Sequence, residues 1–143
     1  MDIKKSAGFA AVLAAGLSLI TTGTAAADDL ECSTEPFTSV AVELSDGGRW
    51  TYRYHVTWCV ENGEITDLAH HVTNTADGKT CEWDTNAEEG ETTDPDHPGA
   101  WKGFNMGQFA CKKPDGQDGS VNPWGIITVW PNGNSAVKDK GID

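Results

Sequence analysis

Arg49–Val60, RWTYRYHVTWCV, places Trp50, Tyr52, Tyr54, Val56, Trp58 and Val60 at successive even positions and leaves the odd positions mostly polar. Strict alternation over this length matches the two-residue side-chain period of a β-strand and excludes a helix, whose apolar positions recur every three or four residues. The stretch is therefore a strand with one apolar face. The rest of the chain must pack on that face, pair with its edges or decorate its ends.

Upstream, Thr38–Leu44 (TSVAVEL) alternates with Val40, Val42 and Leu44 on one side, and Ser45-Asp46-Gly47-Gly48 is a turn whose Asp-Gly and Gly-Gly steps tolerate positive φ. A two-residue loop at Asp46-Gly47 predicts a hairpin that sets Glu35 opposite Trp58. Continued past Pro36, the same pairing carries Cys32 close to Cys59. Downstream, Glu61-Asn62-Gly63-Glu64 allows two registers. Asn62-Gly63 as a type I′ loop sets Trp58 against Asp67 and His55 against His70; a three-residue loop with Gly63 in a bulge sets Val56 against Leu68 and Tyr52 against Val72. A slip of one residue exchanges the faces. Burial of Leu68 and Val72 beside the aromatic row favours the bulged loop.

Ala76-Asp77-Gly78-Lys79 is a further turn, followed by a short strand over Thr80–Asp84. Thr85–Ala100 holds Glu88, Glu89, Glu91, Asp94 and Asp96 with Pro95 and Pro98 and shows no periodicity, which predicts a surface loop. Order returns in Trp101–Lys113, with a strand over Met106–Cys111. Pro114–Asn122 is polar and Gly-rich, Trp124–Trp130 (WGIITVW) reads as a well-buried strand, and Asn134–Lys138 as a short final one. Short strands with turns at hairpin spacing and no helical period give an all-β fold, a small antiparallel β-sandwich, with a small barrel as the alternative.

The N-terminus reads as an address. Lys4 and Lys5 precede an apolar run over Ala7–Ile20, and Ala25-Ala26-Ala27 offers a small-residue cleavage site, so residues 1–27 are expected to be a cleaved signal peptide and 28–143 a single secreted β-domain. The expected location is extracellular, or periplasmic if the source has an outer membrane. Cleavage removes Lys4, Lys5 and Asp2, leaving 8 basic and 21 acidic groups, a net charge of −13. That charge disfavours nucleic acid and anionic membranes, whose recognition rests on Lys and Arg.

Cys32, Cys59, Cys81 and Cys111 have no C-x-x-C spacing, so an exported chain should form two disulfides rather than a metal site. Each would contribute roughly 3–4 kcal/mol by loop-closure entropy. In a meander, Cys81 lies near the start of the central strand and Cys59 at its far end, roughly 20 Å away at ~3.4 Å per residue. Bridged Cα atoms lie within about 7 Å, so the preferred pairs are Cys32–Cys59 and Cys81–Cys111.

Trp50, Trp58, Trp83, Trp101, Trp124 and Trp130 are the most unusual feature of the composition. Flat aromatic faces with polar neighbours suit a carbohydrate or a small apolar ligand, whereas even-face alternation assigns Trp50 and Trp58 to the core, with Trp130 beside them. Trp83 and Trp101 flank the acidic stretch and, with Asp94 and Asp96, are the candidate ligand-binding residues. In the less favoured register His55 and His70 are cross-strand partners that could share a Zn²⁺ or Cu²⁺, and Asp94 and Asp96 could ligate one ion, but nothing in the sequence requires the first and the acidic run lacks EF-hand spacing, so neither a metal nor another cofactor is expected. No G-x-S-x-G or H-E-x-x-H motif is present, and no enzyme is expected. The expectation is a secreted, non-catalytic binding module whose partner is an extracellular polysaccharide, small ligand or protein. The alternative is an inhibitor-like or toxin-like interaction protein presenting the acidic loop 85–100.

Overall fold

The computed structural model describes residues 30–143. The signal-peptide reading, residues 1–27, lies outside the described residues. Strands β1 (Phe37–Thr38), β2 (Val42–Asp46), β3 (Trp50–Glu61) and β4 (Glu64–Ala76) form one antiparallel sheet. In it β1 and β2 follow one edge of β3, and β4 pairs with the other. The second sheet contains β5 (Cys81–Thr93), β6 (Trp101–Lys112), β7 (Asp118–Val121), β8 (Pro123–Val129) and β9 (Ser135–Ile142). It is an antiparallel meander in which β7 and β8 share one edge of β6.

The two sheets stack as a sandwich around the even face of β3. Trp50, Tyr52, Tyr54, Val56 and Trp58 are all buried, and Val42, Phe109, Ile127 and Val129 close the core from β2, β6 and β8. Aromatic rings dominate it: Trp50 stacks on Phe109 at 5.1 Å between centroids, and Trp83 meets Phe109 edge-on at 5.0 Å.

Both expected disulfides are present, Cys32–Cys59 with Cα atoms 5.3 Å apart and Cys81–Cys111 with Cα atoms 4.1 Å apart. Among the described residues no helix is long and apolar enough to cross a membrane. The two bridges are consistent with an oxidising compartment.

Three expectations are corrected. The first hairpin turns through Gly47-Gly48-Arg49, not Asp46-Gly47, so Phe37 rather than Glu35 faces Trp58. The two successive glycines, at φ 46° and 85°, permit the longer turn.

At the second hairpin the turn is the two-residue Asn62-Gly63 form, with φ of 52° and 77°. A bulge between Val60↔Ile65 and Cys59↔Asp67 then adds one residue on β4, so Trp58 faces Leu68, Tyr54 faces Val72 and His55 faces His71. Leu68 and Val72 thus share the aromatic face, as burial demands, although neither expected set of partners occurs.

The third correction concerns the acidic loop 85–100. β5 continues to Thr93, and only residues 94–100 form the connection to β6. Two register shifts, at Trp83/Thr85 and Asn86/Glu88, break the period-two pattern and conceal the strand. As an edge strand it needs a hydrogen-bonded partner on one side only and tolerates carboxylates, which also block pairing with a second chain.

Candidate functional site

The expected ligand residues separate into two places. Asp94, Asp96 and Trp101 meet at the β5–β6 connection, where Asp94 N donates to Ala100 O and Thr93 pairs with Trp101. Trp83 pairs with Phe109 near the other end of the hairpin, eight residues along β6, or roughly 27 Å at ~3.4 Å per residue. Both tryptophans are half-buried against the core.

Asp94 is 3% exposed and its oxygens are occupied. Asp96 N and the Lys102 ammonium approach Oδ1 at 3.0 and 3.4 Å, and His97 Nδ1 lies 3.1 Å from Oδ2. Burial pushes its carboxyl up, but these bonds and the Lys102 charge outweigh that and hold it below the ordinary carboxylate range. The Asp94 carboxylate organises the turn. Asp96 is exposed and pairs with Lys138 at 3.6 Å.

A second polar cluster lies between the sheets where β4 meets β5. Tyr52 Oη donates to Asn105 Oδ1 at 2.7 Å, and Asn105 Nδ2 donates to Glu89 at 2.8 Å. Tyr54 Oη hydrogen-bonds His70 Nδ1 at 2.8 Å, and His70 Nε2 lies 2.9 Å from Glu91. Burial, then Glu89, pushes the Tyr52 phenol up; Tyr54 is raised by burial, then by Tyr52, Glu89 and Glu91. Both remain phenols at physiological pH. With the His70 side chain 7% exposed and both ring nitrogens engaged, the cluster ties edge strand β5 to β3 and β4.

The feature that sequence reasoning missed is the outer face of the second sheet. Odd residues of β6 point inward, because a Cβ on Gly103 or Gly107 would meet Tyr54 or Tyr52 across the core. Alternation therefore turns Lys102, Phe104, Met106 and Gln108 outward, together with Trp124, Ile126 and Thr128 of β8. Opposite residues of paired strands share a face, so the outer surface reads in rows. One row is Gly90, Phe104, Ile126 and Asp139; the next is Glu88, Met106, Trp124 and Gly141.

Phe104, Met106, Trp124 and Ile126 thus form a contiguous apolar square on a face that an antiparallel sandwich normally turns to water with polar residues. None of the four is buried. Glycine frames the aromatics: a Cβ on Gly141 would lie 2.8 Å from the Trp124 indole, so that ring rests directly on the β9 backbone. Gln108, which donates to Asp84, borders the square at one end, and Lys102 with Asp94 at the other. The run WGIITVW carried the signal, but a continuous apolar strand says only that both faces avoid charge.

A cavity of about 240 Å³ lies elsewhere, beside the Cys81–Cys111 bridge and lined by Lys79, Thr80, Glu82, Lys112 and Asp118. Its volume falls below the ~300 Å³ at which small-molecule pockets begin.

The fold and these surfaces define the class: a two-disulfide, two-sheet antiparallel β-domain with an apolar outer face. Compared with known proteins, the chain matches no family model, no curated protein and no solved structure.

Proposed function

We propose that the protein is a secreted, non-catalytic binding module and that the outer face of the second sheet is its ligand surface, taking a polysaccharide chain. The observation that carries this reading is the half-buried apolar square of Phe104, Met106, Trp124 and Ile126 on the outer face of the sheet. A flat sheet face cannot enclose a small molecule, whose sites are concave and bury most of the ligand. It can lie along a polymer, with ring faces against the apolar faces of successive sugars and the bordering Gln108, Asp84, Glu88 and Asp139 within reach of hydroxyls. The acidic connection 94–100 supports the alternative of a protein-interaction loop less well, because the Asp94 carboxylate is buried and already paired with Lys102 and His97.

The test is co-sedimentation with insoluble cellulose and chitin. The full chain is expected to bind one of them, and Trp124→Ala to lose about tenfold or more in affinity, as truncation of a central tryptophan does. Met106→Gln serves as a second variant with less perturbation of the fold. Wild-type binding by both variants, with unchanged melting temperature, would exclude this surface.

A further inference from the structure

We infer that the polysaccharide taken by this face carries free amino groups. The inference rests on the platform reading and adds the charge of the ligand. Two carboxylates flank the apolar square from opposite edges, Glu88 on β5 beside Met106 and Asp139 on β9 beside Ile126. The strands are spaced ~4.8 Å apart, so these groups stand about 15 Å from one another across the aromatic rows. Neither has a cationic partner among the described residues; the Asp139 carboxylate accepts only from the backbone N of Lys140.

The lysines at the end of this face are already engaged by other carboxylates. Lys102 reaches Asp94 at 3.4 Å, and Lys138 reaches Asp94 and Asp96 at 4.0 and 3.6 Å. What remains is a half-buried apolar centre between two exposed carboxylates that no cation pairs among the described residues, with Asp84 held by Gln108 along the same border. A sulfated or uronic glycan would be repelled there, and a neutral glycan would leave Glu88 and Asp139 without partners. An amine-bearing glycan meets both demands: its sugar faces stack on Trp124 and Phe104, and ammonium groups several sugars apart reach the carboxylates. An ammonium over the Trp124 ring would add the attraction of a cation for the π face.

The experiment is a fluorescence titration of the full chain with a glucosamine hexasaccharide, its N-acetylated counterpart, and an oligolysine of equal charge. It is done at about pH 5.5, above the ordinary carboxylate range, in low salt. The glucosamine oligomer is expected to bind about tenfold more tightly than the acetylated one, the gain available from two exposed ion pairs. That gain should vanish in the double variant E88Q/D139N and shrink as salt is raised, while Trp124→Ala weakens both oligomers. Equal binding of the two oligomers, with no effect of E88Q/D139N, would overturn the amine assignment and leave the platform standing. Glucosamine binding unaffected by Trp124→Ala, or matched by oligolysine, would overturn both. Failure of the glucosamine oligomer to bind would overturn the amine assignment.

Discussion

Trp50 and Trp58 sit on the same face of β3 and are equally inaccessible, 1% and 0% exposed, yet they differ at one atom. Trp58 Nε1 donates to Trp130 O at 3.1 Å, whereas Trp50 Nε1 is buried with no hydrogen-bond partner. An unpaired buried donor costs ~1–3 kcal/mol, and removing one member of a satisfied pair strands the other. Replacement by phenylalanine takes similar volume from either site. Trp58→Phe should therefore destabilise the domain by ~1–2 kcal/mol more than Trp50→Phe in urea unfolding. Equal losses would show that the indole nitrogens carry no weight.

The histidines of the outer face of the first sheet make a prediction about pH. His55 and His71 stack with centroids 4.7 Å apart, and His55 is lowered by burial first, then by His71 and Arg53. A histidine whose folded pKa lies below its unfolded value near 6.5 favours the folded state when neutral. Its contribution is complete above that value and falls as pH drops through it toward the folded value. Asp77 acts in a lower window. The Thr80 hydroxyl, then the backbone N–H groups of Cys81 and Lys79, hold its carboxyl far below the ordinary range, so its contribution is present at neutral pH and lost on acidification below about 4. Unfolding free energies measured across pH should show His55→Gln flattening the limb just below about 6.5, and Asp77→Asn flattening the lower one. An unchanged profile in both variants would contradict these assignments.

Among the elements, β5 and β9 frame the second sheet, and the glycines along it separate packing from binding. A Cβ on Gly107 would lie 2.7 Å from the Trp83 ring and 3.2 Å from Tyr52, with Trp83 held edge-on to Phe109 behind it. Gly107→Ala should cost ~1–3 kcal/mol through overpacking. A Cβ on Gly141 meets the Trp124 indole at a similar 2.8 Å, but that ring lies on the solvent side and can lift away. Gly141→Ala should change stability little and weaken polysaccharide binding. Thermal unfolding and co-sedimentation of the two variants check the contrast, and a stability loss at Gly141 as large as at Gly107 would contradict it.

How much of this was legible in the sequence varied by element. The strand Arg49–Val60 was unambiguous, because period two with aromatic residues admits no other structure. The strand's length holds Cys59 and Cys81 apart and the first hairpin brings Cys32 toward Cys59, which together favoured the two disulfides observed without excluding every other pairing. β5 was illegible beyond Asp84, because bulges leave no period to detect and an edge strand needs no apolar face. The β3–β4 partners were displaced by an extra residue at Thr66, a local choice that no turn motif announces. The apolar outer face was hidden for a different reason: Trp124 and Ile126 look like core residues in sequence, and only the layer order places them on the outer side of the second sheet.

At the scale of the molecule, two faces carry opposite designs. The outer face of the first sheet is polar, with Arg53 paired to Glu43 and threonines facing one another across β3 and β4. The outer face of the second is apolar at its centre and acidic at its edges. A chain of formal net charge −12 gains solubility from its carboxylates, and four half-buried apolar side chains side by side on an outer face stand against that pattern, which is what motivates the proposed ligand surface.

The most direct measurement is residue-resolved chemical-shift mapping during titration of the full chain with the glucosamine hexasaccharide. If the outer face of the second sheet is the ligand surface, shifts concentrate at Phe104, Met106, Trp124 and Ile126, including the Trp124 indole N–H, with smaller ones at Glu88 and Asp139. Shifts confined to the connection 94–100 or to Trp83, with the Trp124 indole unmoved, would contradict it.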